Sequence, residues 1–450
     1  MEGGAALETV CAPRRRMTEN NVGGIQAEAG SSEQQQGSDD TITVVFTSDN
    51  HLGYSAFGQH PRKREERQLR LRRAFQQATD FAVGQGVDLF VQAGDLFDST
   101  TPDERDRSFV SARLAQLRQA GVRVFALGGV HDTPAETHSL LGEVAQAPQL
   151  SYAHLGVMHY FPPNPAELEP VMIKVRDVLV GICGLGVLAG QEGNPLTRIH
   201  ELELGDIERA AVAILLLHAP LEGMTSGTSL LDTRAEVSRS SMNEQSLFRY
   251  ILAGYHHGYQ HVHSGQCEIV VAGATQRIDF SDTEQEPGFV FLGLAANGMR
   301  WCKHVAVDSL RLQRLLLKTS ELWPDEASTT ASITESILER LQPLCNEETM
   351  VQLYLEGQLT RGQYHQLDLN QIRRYGEEHC FALAIDDSSL VILPELEALS
   401  AETGERFSPR EELMTLVDEW IDAARDEREK KALRSTREDL LAAMDEVKRR

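Results

Sequence analysis

Cysteine, tryptophan and positive charge are all scarce in this chain of 450 residues. Its six cysteines, at positions 11, 183, 267, 302, 345 and 380, lie far apart and form no CxxC pair. That spacing argues against a zinc ribbon and a disulfide scaffold and favours a reducing cytoplasm. No stretch approaches the roughly eighteen consecutive apolar residues of a transmembrane helix, so no membrane span is expected. Arg14, Arg15 and Arg16 are followed by no apolar run, which argues against a secretory signal. Lys and Arg total 43 against 67 Asp and Glu, a formal net charge of -24. Such a deficit argues against coating nucleic acid by bulk charge. It does not exclude a nuclease, because bound divalent cations and a local basic patch can supply the positive field.

What is present is ordinary for a globular protein, with 41% hydrophobic and 24% charged residues. At roughly 100–200 residues per domain, two or three domains are expected. Residues 1–40 are rich in Gly, Ser, Gln and Glu, and Ser31 to Asp40 holds no apolar side chain. This stretch reads as a disordered tail, with Met17 as an alternative start. No internal repeat is present.

From Thr41 the pattern is ordered. Short apolar runs at Thr43 to Ser48, Val87 to Gln92 and Val122 to Leu127 read as buried strands. Helical segments lie between them, Leu69 to Val83 and Phe109 to Ala120, the second with Val110, Leu114 and Leu117 at helical spacing. This βαβαβ rhythm implies a parallel sheet with helices packed on it. Later runs at Val178 to Cys183, Ala211 to Leu217, Tyr250 to Ala253, Ile269 to Ala272 and Phe289 to Leu292 have no long helices between them, so the second half is β-rich. A layered α/β domain is expected over 41–305.

A small α+β domain is expected over 306–400, from a helix at Ile333 to Leu341 and strands at Val351 to Leu355 and Cys380 to Ile385. Residues 401–450 read as an amphipathic helical tail. Ser408 is its N-cap, Pro409 lies in the first turn and Glu411 follows three residues on.

Polar residues of one kind fall just after the apolar strands. Asp49 and His51 follow the first, Asp95 the second, and His131 and Asp132 the third. His218 ends a later run, and His256 and His257 follow Ala253-Gly254. Ligands of open α/β sheets sit at the carboxyl ends of strands. Residues i and i+2 of an extended segment face the same way, so Asp49 and His51 can grip one cation. Mixed carboxylate and imidazole donors suit manganese, iron or zinc better than calcium, and a carboxylate such as Asp95 can bridge two metals. Each residue alone has a plainer reading: Asp95 in an Asx-turn, His218 as a satisfied core histidine, His256 and His257 in a surface loop. Their joint occurrence in chain order, each after a strand, is what points to a metal centre.

Together, Asp49-x-His51, Gly94-Asp95-Leu96-Phe97-Asp98, Gly129-Val130-His131-Asp132, His218 and Gly254-Tyr255-His256-His257 resemble the calcineurin-like metallophosphoesterases. Within that family the chain most resembles the SbcD-type DNA-repair exonuclease subunits. Ala272-Gly273-Ala274-Thr275-Gln276-Arg277-Ile278-Asp279-Phe280 is similar to that branch's PGS-x-x-R-x-DF segment, with Ala272 in place of its proline.

The resemblance covers about 41–295. It implies a layered metallophosphoesterase β-sandwich flanked by helices, a small α+β capping domain and a helical tail that docks onto a coiled-coil ATPase. It also implies two divalent metals, manganese by preference. Asp49, His51, Asp95 and His257 would hold the first metal, and Asp95 and His218 the second. His131 would be the catalytic acid.

Two departures bear on the second metal. The family's ligating Asn is here Val130, which cannot bind a metal, and the first His of its G-H-x-H is Tyr255. Tyr255 as phenolate, or His256 after a backbone shift, would restore one ligand. Asp98 either orients substrate or a ligand, or caps the turn from Asp98 to Asp103.

A basic stretch, Arg62, Lys63, Arg64, Arg67, Arg70, Arg72 and Arg73, stands against only Glu65 and Glu66. It reads either as a phosphate-contacting patch near the rim of the site or as a solvated helix face with Glu–Arg pairs. The tail likewise reads as ATPase docking or as an element packed on its own domain.

The leading expectation is therefore a metal-dependent phosphodiester hydrolase acting on DNA. It would be an SbcD-like, homodimeric, cytoplasmic subunit working with an SbcC-like ATPase and no membrane. The alternatives are a catalytically impaired scaffold of the same complex and a phosphoesterase for small phosphate esters.

Overall fold

The computed structural model describes residues 40–55, 60–135, 146–201, 207–224, 235–282, 285–322 and 333–393, with Val417, Trp420, Ile421, Lys430, Lys431, Leu433 and Thr436. The described residues fall into two compact units. The first lies within 1–55, 68–275 and 287–307, the second within 56–67, 276–286 and 308–450.

The first unit holds twelve strands among its described residues: β1 (Ile42–Thr47), β2 (Leu89–Ala93), β3 (Arg123–Leu127), β4 (His159–Phe161), β5 (Val171–Val175), β6 (Val178–Gly186), β7 (Val212–His218), β8 (Tyr250–Gly254), β9 (Gln260–Ser264), β10 (Cys267–Val271), β11 (Gly288–Ala295) and β12 (Gly298–Ala306). They form two six-stranded sheets, ordered β12-β11-β1-β2-β3-β4 and β5-β6-β7-β8-β10-β9. Strands β1 to β4 run parallel, as do β6, β7, β8 and β10. In the first sheet β11 pairs antiparallel with both β1 and the edge strand β12; in the second, the edge strands β5 and β9 are antiparallel to their neighbours.

Alternation along the strands builds a sandwich. Val44 and Phe46 of β1, Leu89 and Val91 of β2, Ile214 and Leu216 of β7, and Leu252 of β8 share one core between the sheets. The intervening residues of the second sheet, such as Leu215, Leu217, Ile251 and Ile269, bury on its other face under Leu196, Ile199, Met242 and Phe248. On the outer face of the first sheet, the Phe75 ring meets Phe90 edge-on at 5.9 Å and Phe81 meets Phe289 at 5.2 Å. Both faces are thus covered, which is why these strands read as nearly unbroken apolar runs.

The two flanking helices are longer than periodicity indicates. The helix α1 (Pro61–Gln85) starts at a proline, whose missing N–H costs nothing in the first turn. Its early turns are charged all round, so no apolar stripe marks them. The helix α2 (Glu104–Gln119) starts five residues before Phe109 because the Asp103 carboxylate accepts from the Asp106 amide and caps it.

The second unit is α+β. Its strands β13 (Arg311–Lys318), β14 (Thr349–Thr360) and β15 (Ala382–Leu393) form a parallel three-stranded sheet in that order. Ile333, Ile337 and Leu341 from one helix (Ile333–Leu341) and Ile372 from another (Leu369–His379) pack on Leu317, Leu353 and Leu355.

Cys345 and Cys380 are joined by a disulfide across 35 residues of sequence. It is a single link and not a disulfide scaffold, with Cys183, Cys267 and Cys302 free among the described residues. The two bonded cysteines meet because Phe381 N donates to Asn346 O, aligning the segments that carry them, a tertiary pairing invisible to a CxxC search. Of the helical tail, Val417 and Ile421 are buried and Trp420 is 57% exposed; most of 401–450 lies outside the described residues. Among the described residues, no helix is long and apolar enough to cross a membrane.

Candidate metal centre

The carboxyl ends of β1, β2 and β3 in one sheet and of β7 and β8 in the other bring together Asp49, His51, Asp95, His131, His218 and His257. The loops after β1 and β2 run side by side: Asp49 N donates to Gly94 O, His51 N to Asp95 O and Leu52 N to Leu96 O, each at 3.0 Å. Asn50 anchors them from below, donating to Thr47 Oγ1 at 2.8 Å and to Thr275 Oγ1 at 3.1 Å.

The backbone is left-handed at Asp49 (φ +48°), His51 (+44°), Asp95 (+53°) and Tyr255 (+86°); Arg176 is the remaining such non-glycine among the described residues. Sparsely populated conformations of this kind cluster where side chains must be aimed. Gly94 and Gly254 make the close approach possible. A Cβ on Gly94, where φ is +90°, would lie 2.0 Å from His218 Nδ1, and one on Gly254 would lie 2.0 Å from Ala93 O.

Donor atoms converge in overlapping sets: Asp49, His51 and His257; Asp49, Asp95 and His218; and His51, Asp95 and His131. The protonation pattern shows that these sets fit cations. His218 Nδ1 lies 2.9 Å from Ala93 O and donates to it, which leaves Nε2 facing Asp95 Oδ2 at 3.2 Å. His51 Nδ1 lies 3.0 Å from Asp98 Oδ1 and donates to it, leaving Nε2 facing Asp95 Oδ2 at 4.0 Å. Both Nε2 atoms are buried without a hydrogen-bond partner. An imidazole lone pair aimed at a carboxylate oxygen demands a positive charge between them, either a proton or a metal.

The charges of the cluster shift one another accordingly. Burial opposes charge on His218, but the Asp95 carboxylate, helped by Asp49, pushes it up to about 9. Burial also opposes ionisation of Asp95, yet His218, His51 and His131 hold its carboxyl below the usual carboxylate range. Asp49 is raised, chiefly by burial.

Asp98 joins His51 to His131, whose Nδ1 lies 3.7 Å from the same Asp98 oxygen. The His131 amide donates to Asp95 Oδ1 at 2.8 Å, and its side chain is one-third exposed. Asp132 lies behind the site: it accepts from Gly129 N at 2.8 Å, Phe97 N at 3.2 Å and the Gln149 side chain. Burial raises it to about 7.

The remaining candidates fall elsewhere. His256 Nε2 accepts from Leu221 N at 2.8 Å, and burial lowers it to about 4, so its ring is committed to the backbone. Tyr255 N donates to both Asp49 oxygens at 3.1 Å, and its ring lies 5.7 Å from that of His218. Val130 packs against the outer core of the second sheet.

The basic stretch does not form one open face. Arg67 is fully buried, Arg72 Nε donates to buried Asp106 at 2.7 Å, and Lys63 donates to the carbonyls of Glu377 and Cys380. Arg70 is half-buried; Arg62, Arg64 and Arg73 are exposed. Asn50 and Gln92, whose side-chain amide donates to Gly94 O at 2.7 Å, were not singled out by sequence. Asn50 within Ser48-Asp49-Asn50-His51 is the one whose position beside two ligands could have flagged it.

The calcineurin-like phosphoesterase family profile matches residues 42–245, the part of the chain that carries Asp49, His51, Asp95, His131 and His218. The chain is similar to archaeal proteins named DNA double-strand break repair protein Mre11. The one from Thermoplasma acidophilum is 25% identical over 298 residues, covering 66% of this chain and 71% of that protein. The one from Methanosarcina mazei is 30% identical over 120 residues, 25% of this chain but only 19% of that protein. Among solved structures, a dimetal phosphatase from Danio rerio aligns with 60% of this chain and 100% of its own at 11% identity, with a TM-score of 0.35.

Proposed function

We propose that this chain is a divalent-metal-dependent phosphodiester hydrolase acting on DNA, a nuclease subunit of the SbcD type. The observation that carries the hydrolase reading is the pair of orphaned imidazole nitrogens of His51 and His218 aimed at the Asp95 carboxylate. DNA as substrate rests on the named relatives and on the exposed arginines.

In this reading Asp49, His51, Asp95 and His257 would hold one cation and Asp95 and His218 the other, with Asp49 close enough to Asp95 and His218 to add the donor that Val130 and Tyr255 do not supply. When bound, such cations neutralise phosphoryl oxygens and make water acidic enough to attack at neutral pH. Manganese suits the mixed oxygen and nitrogen donors. Asp98 accepts from His51 and fixes its tautomer. The same carboxylate faces His131, whose exposed imidazole is placed to give a proton to the leaving alcohol oxygen. His256, tied to Leu221, stabilises the loop that carries His257. Residues 401–450 would dock an SbcC-like ATPase, the chain would act as a homodimer, and its proposed location is the cytoplasm.

The test is manganese-dependent degradation of end-labelled linear duplex DNA by the full chain, beside nitrophenyl phosphodiester hydrolysis. Degradation that falls about 10²–10⁴-fold in His131→Ala is the expected result. Cleavage of the small ester alone would replace DNA by a small substrate. Turnover of neither, in a folded and manganese-saturated protein, would leave the scaffold reading, which Val130 and Tyr255 favour.

Arg62, Arg64 and Arg73 carry a further prediction. Each phosphate contact contributes roughly 0.9 to the slope of log K against log salt. Replacing all three by alanine should flatten that slope. An unchanged slope in a DNA-binding titration would remove them from the interface.

A further inference from the structure

A second cluster of metal-donor side chains lies on the hairpin formed by β9 and β10, outside the centre described above. His261 and His263 are two residues apart on β9, so they project from the same face of the strand. The register places Glu268 of β10 directly opposite His263 and one diagonal step from His261. All three side chains reach one point: His261 Nε2 lies 2.9 Å and His263 Nε2 3.0 Å from the same Glu268 oxygen. The two rings are 5.4 Å apart and tilted by 32°. Glu268 shares its face of β10 with Val270, which is buried in the core between the sheets, so the cluster sits at the margin of that core. Glu268 is 15% exposed and His261 26%, whereas His263 is 70% exposed. The cluster is therefore anchored on its core side and open to solvent on the other.

We infer that His261, His263 and Glu268 form a second metal site, for a borderline divalent transition ion such as zinc or nickel. Two imidazoles and one carboxylate form a donor set that prefers such ions over magnesium or calcium. Three protein ligands leave the remaining coordination positions to water on the open side. Strand β9 is an edge of its sheet. An ion held by two residues of β9 and one of β10 ties that edge strand to its neighbour in fixed register. The site uses no residue of the strand-end centre, and nothing in the proposed hydrolysis depends on it.

The experiment is calorimetric titration of zinc and of nickel into the metal-stripped full chain, with three variants. The wild type should bind one more zinc ion per chain than His261→Ala/His263→Ala. The Asp95→Ala variant, altered only at the strand-end centre, should retain that ion. Nickel should raise the melting temperature of Asp95→Ala and leave that of the triple variant Asp95→Ala/His261→Ala/His263→Ala unchanged. The double histidine variant should keep wild-type phosphodiester hydrolysis, because neither residue touches the proposed substrate. Should it fail to fold, the single substitution His263→Gln, at an exposed position, should weaken zinc binding at this site at least tenfold. Equal zinc stoichiometry in the wild type and the folded double variant would overturn the inference. So would an affinity unchanged in His263→Gln, which would leave the three side chains as a histidine–carboxylate contact and nothing more.

Discussion

Replacing Asp95 by alanine should lower phosphodiester hydrolysis by at least about a thousandfold, or ~4 kcal/mol of transition-state stabilisation. Three groups depend on this one carboxylate. Its Oδ2 faces His218 Nε2 at 3.2 Å and His51 Nε2 at 4.0 Å, while its Oδ1 accepts the His131 amide at 2.8 Å. Without it, the two imidazoles lose the negative charge that makes the cluster a cation site, and the loop carrying the proposed acid loses its tether. Asp95→Asn separates these effects. The amide oxygen can still accept from His131 N, so the loop should keep its place, but the charge is gone. Activity should therefore fall nearly as far in Asp95→Asn as in Asp95→Ala, with a smaller change in thermal stability. Manganese bound per chain, measured by atomic emission, should drop in both. Activity within tenfold of wild type in a folded Asp95→Asn protein would remove the carboxylate from the chemistry.

Gly94→Ala should be nearly as damaging although it changes no donor atom. The added methyl would lie 2.0 Å from His218 Nδ1 and 2.4 Å from its Cγ, at a backbone angle of +90° that L-residues with a Cβ avoid. The ring cannot retreat without giving up its hydrogen bond to Ala93 O. Either the loop or the imidazole must move, and the separation between His218 Nε2 and Asp95 is lost in both cases. A cost of about 2–4 kcal/mol in unfolding free energy is expected, from overpacking and backbone strain together. Hydrolysis should fall at least about a hundredfold, since sub-ångström misplacement is costly in a preorganised site. Urea unfolding and manganese-dependent turnover measure the two effects. Wild-type values for both would show that the loop after β2 yields, and that the fit around His218 is loose.

Much of this was legible in the sequence for one physical reason. The strands are covered on both faces, so Val44 to Phe46, Leu89 to Val91 and Ala213 to Leu217 appear as apolar blocks, and polar residues at their ends stand out. The strands that were missed break that rule, β5 among them as a sheet edge with only Val175 buried. Strand β12 has exposed and half-buried residues in no clean alternation, β9 is a polar edge strand, and β4 is three residues long. Strand β13 carries Arg311, Gln313 and Arg314 among its leucines. The hairpin histidines His261 and His263 escaped notice for the same reason.

What the sequence could not supply was direction. Nothing in Gly254-Tyr255-His256-His257 tells that His256 turns to the Leu221 amide while His257 joins Asp49 and His51. Nor does a run of basic residues reveal that Arg67 is buried and Arg72 is spent on Asp106. Both outcomes depend on contacts made by residues far away in the chain.

The four left-handed non-glycine residues around the strand ends carry a consequence for anyone trying to make this protein more robust. Asp49, His51, Asp95 and Tyr255 each hold a conformation worth about 1 kcal/mol or more of strain, which glycine would relieve at once. Selection for survival at high temperature, with no demand on turnover, would drift towards those substitutions and harvest sturdy but inert molecules. A heat-resistant descendant that still works must gain its stability elsewhere, in loops and helix ends remote from this cluster.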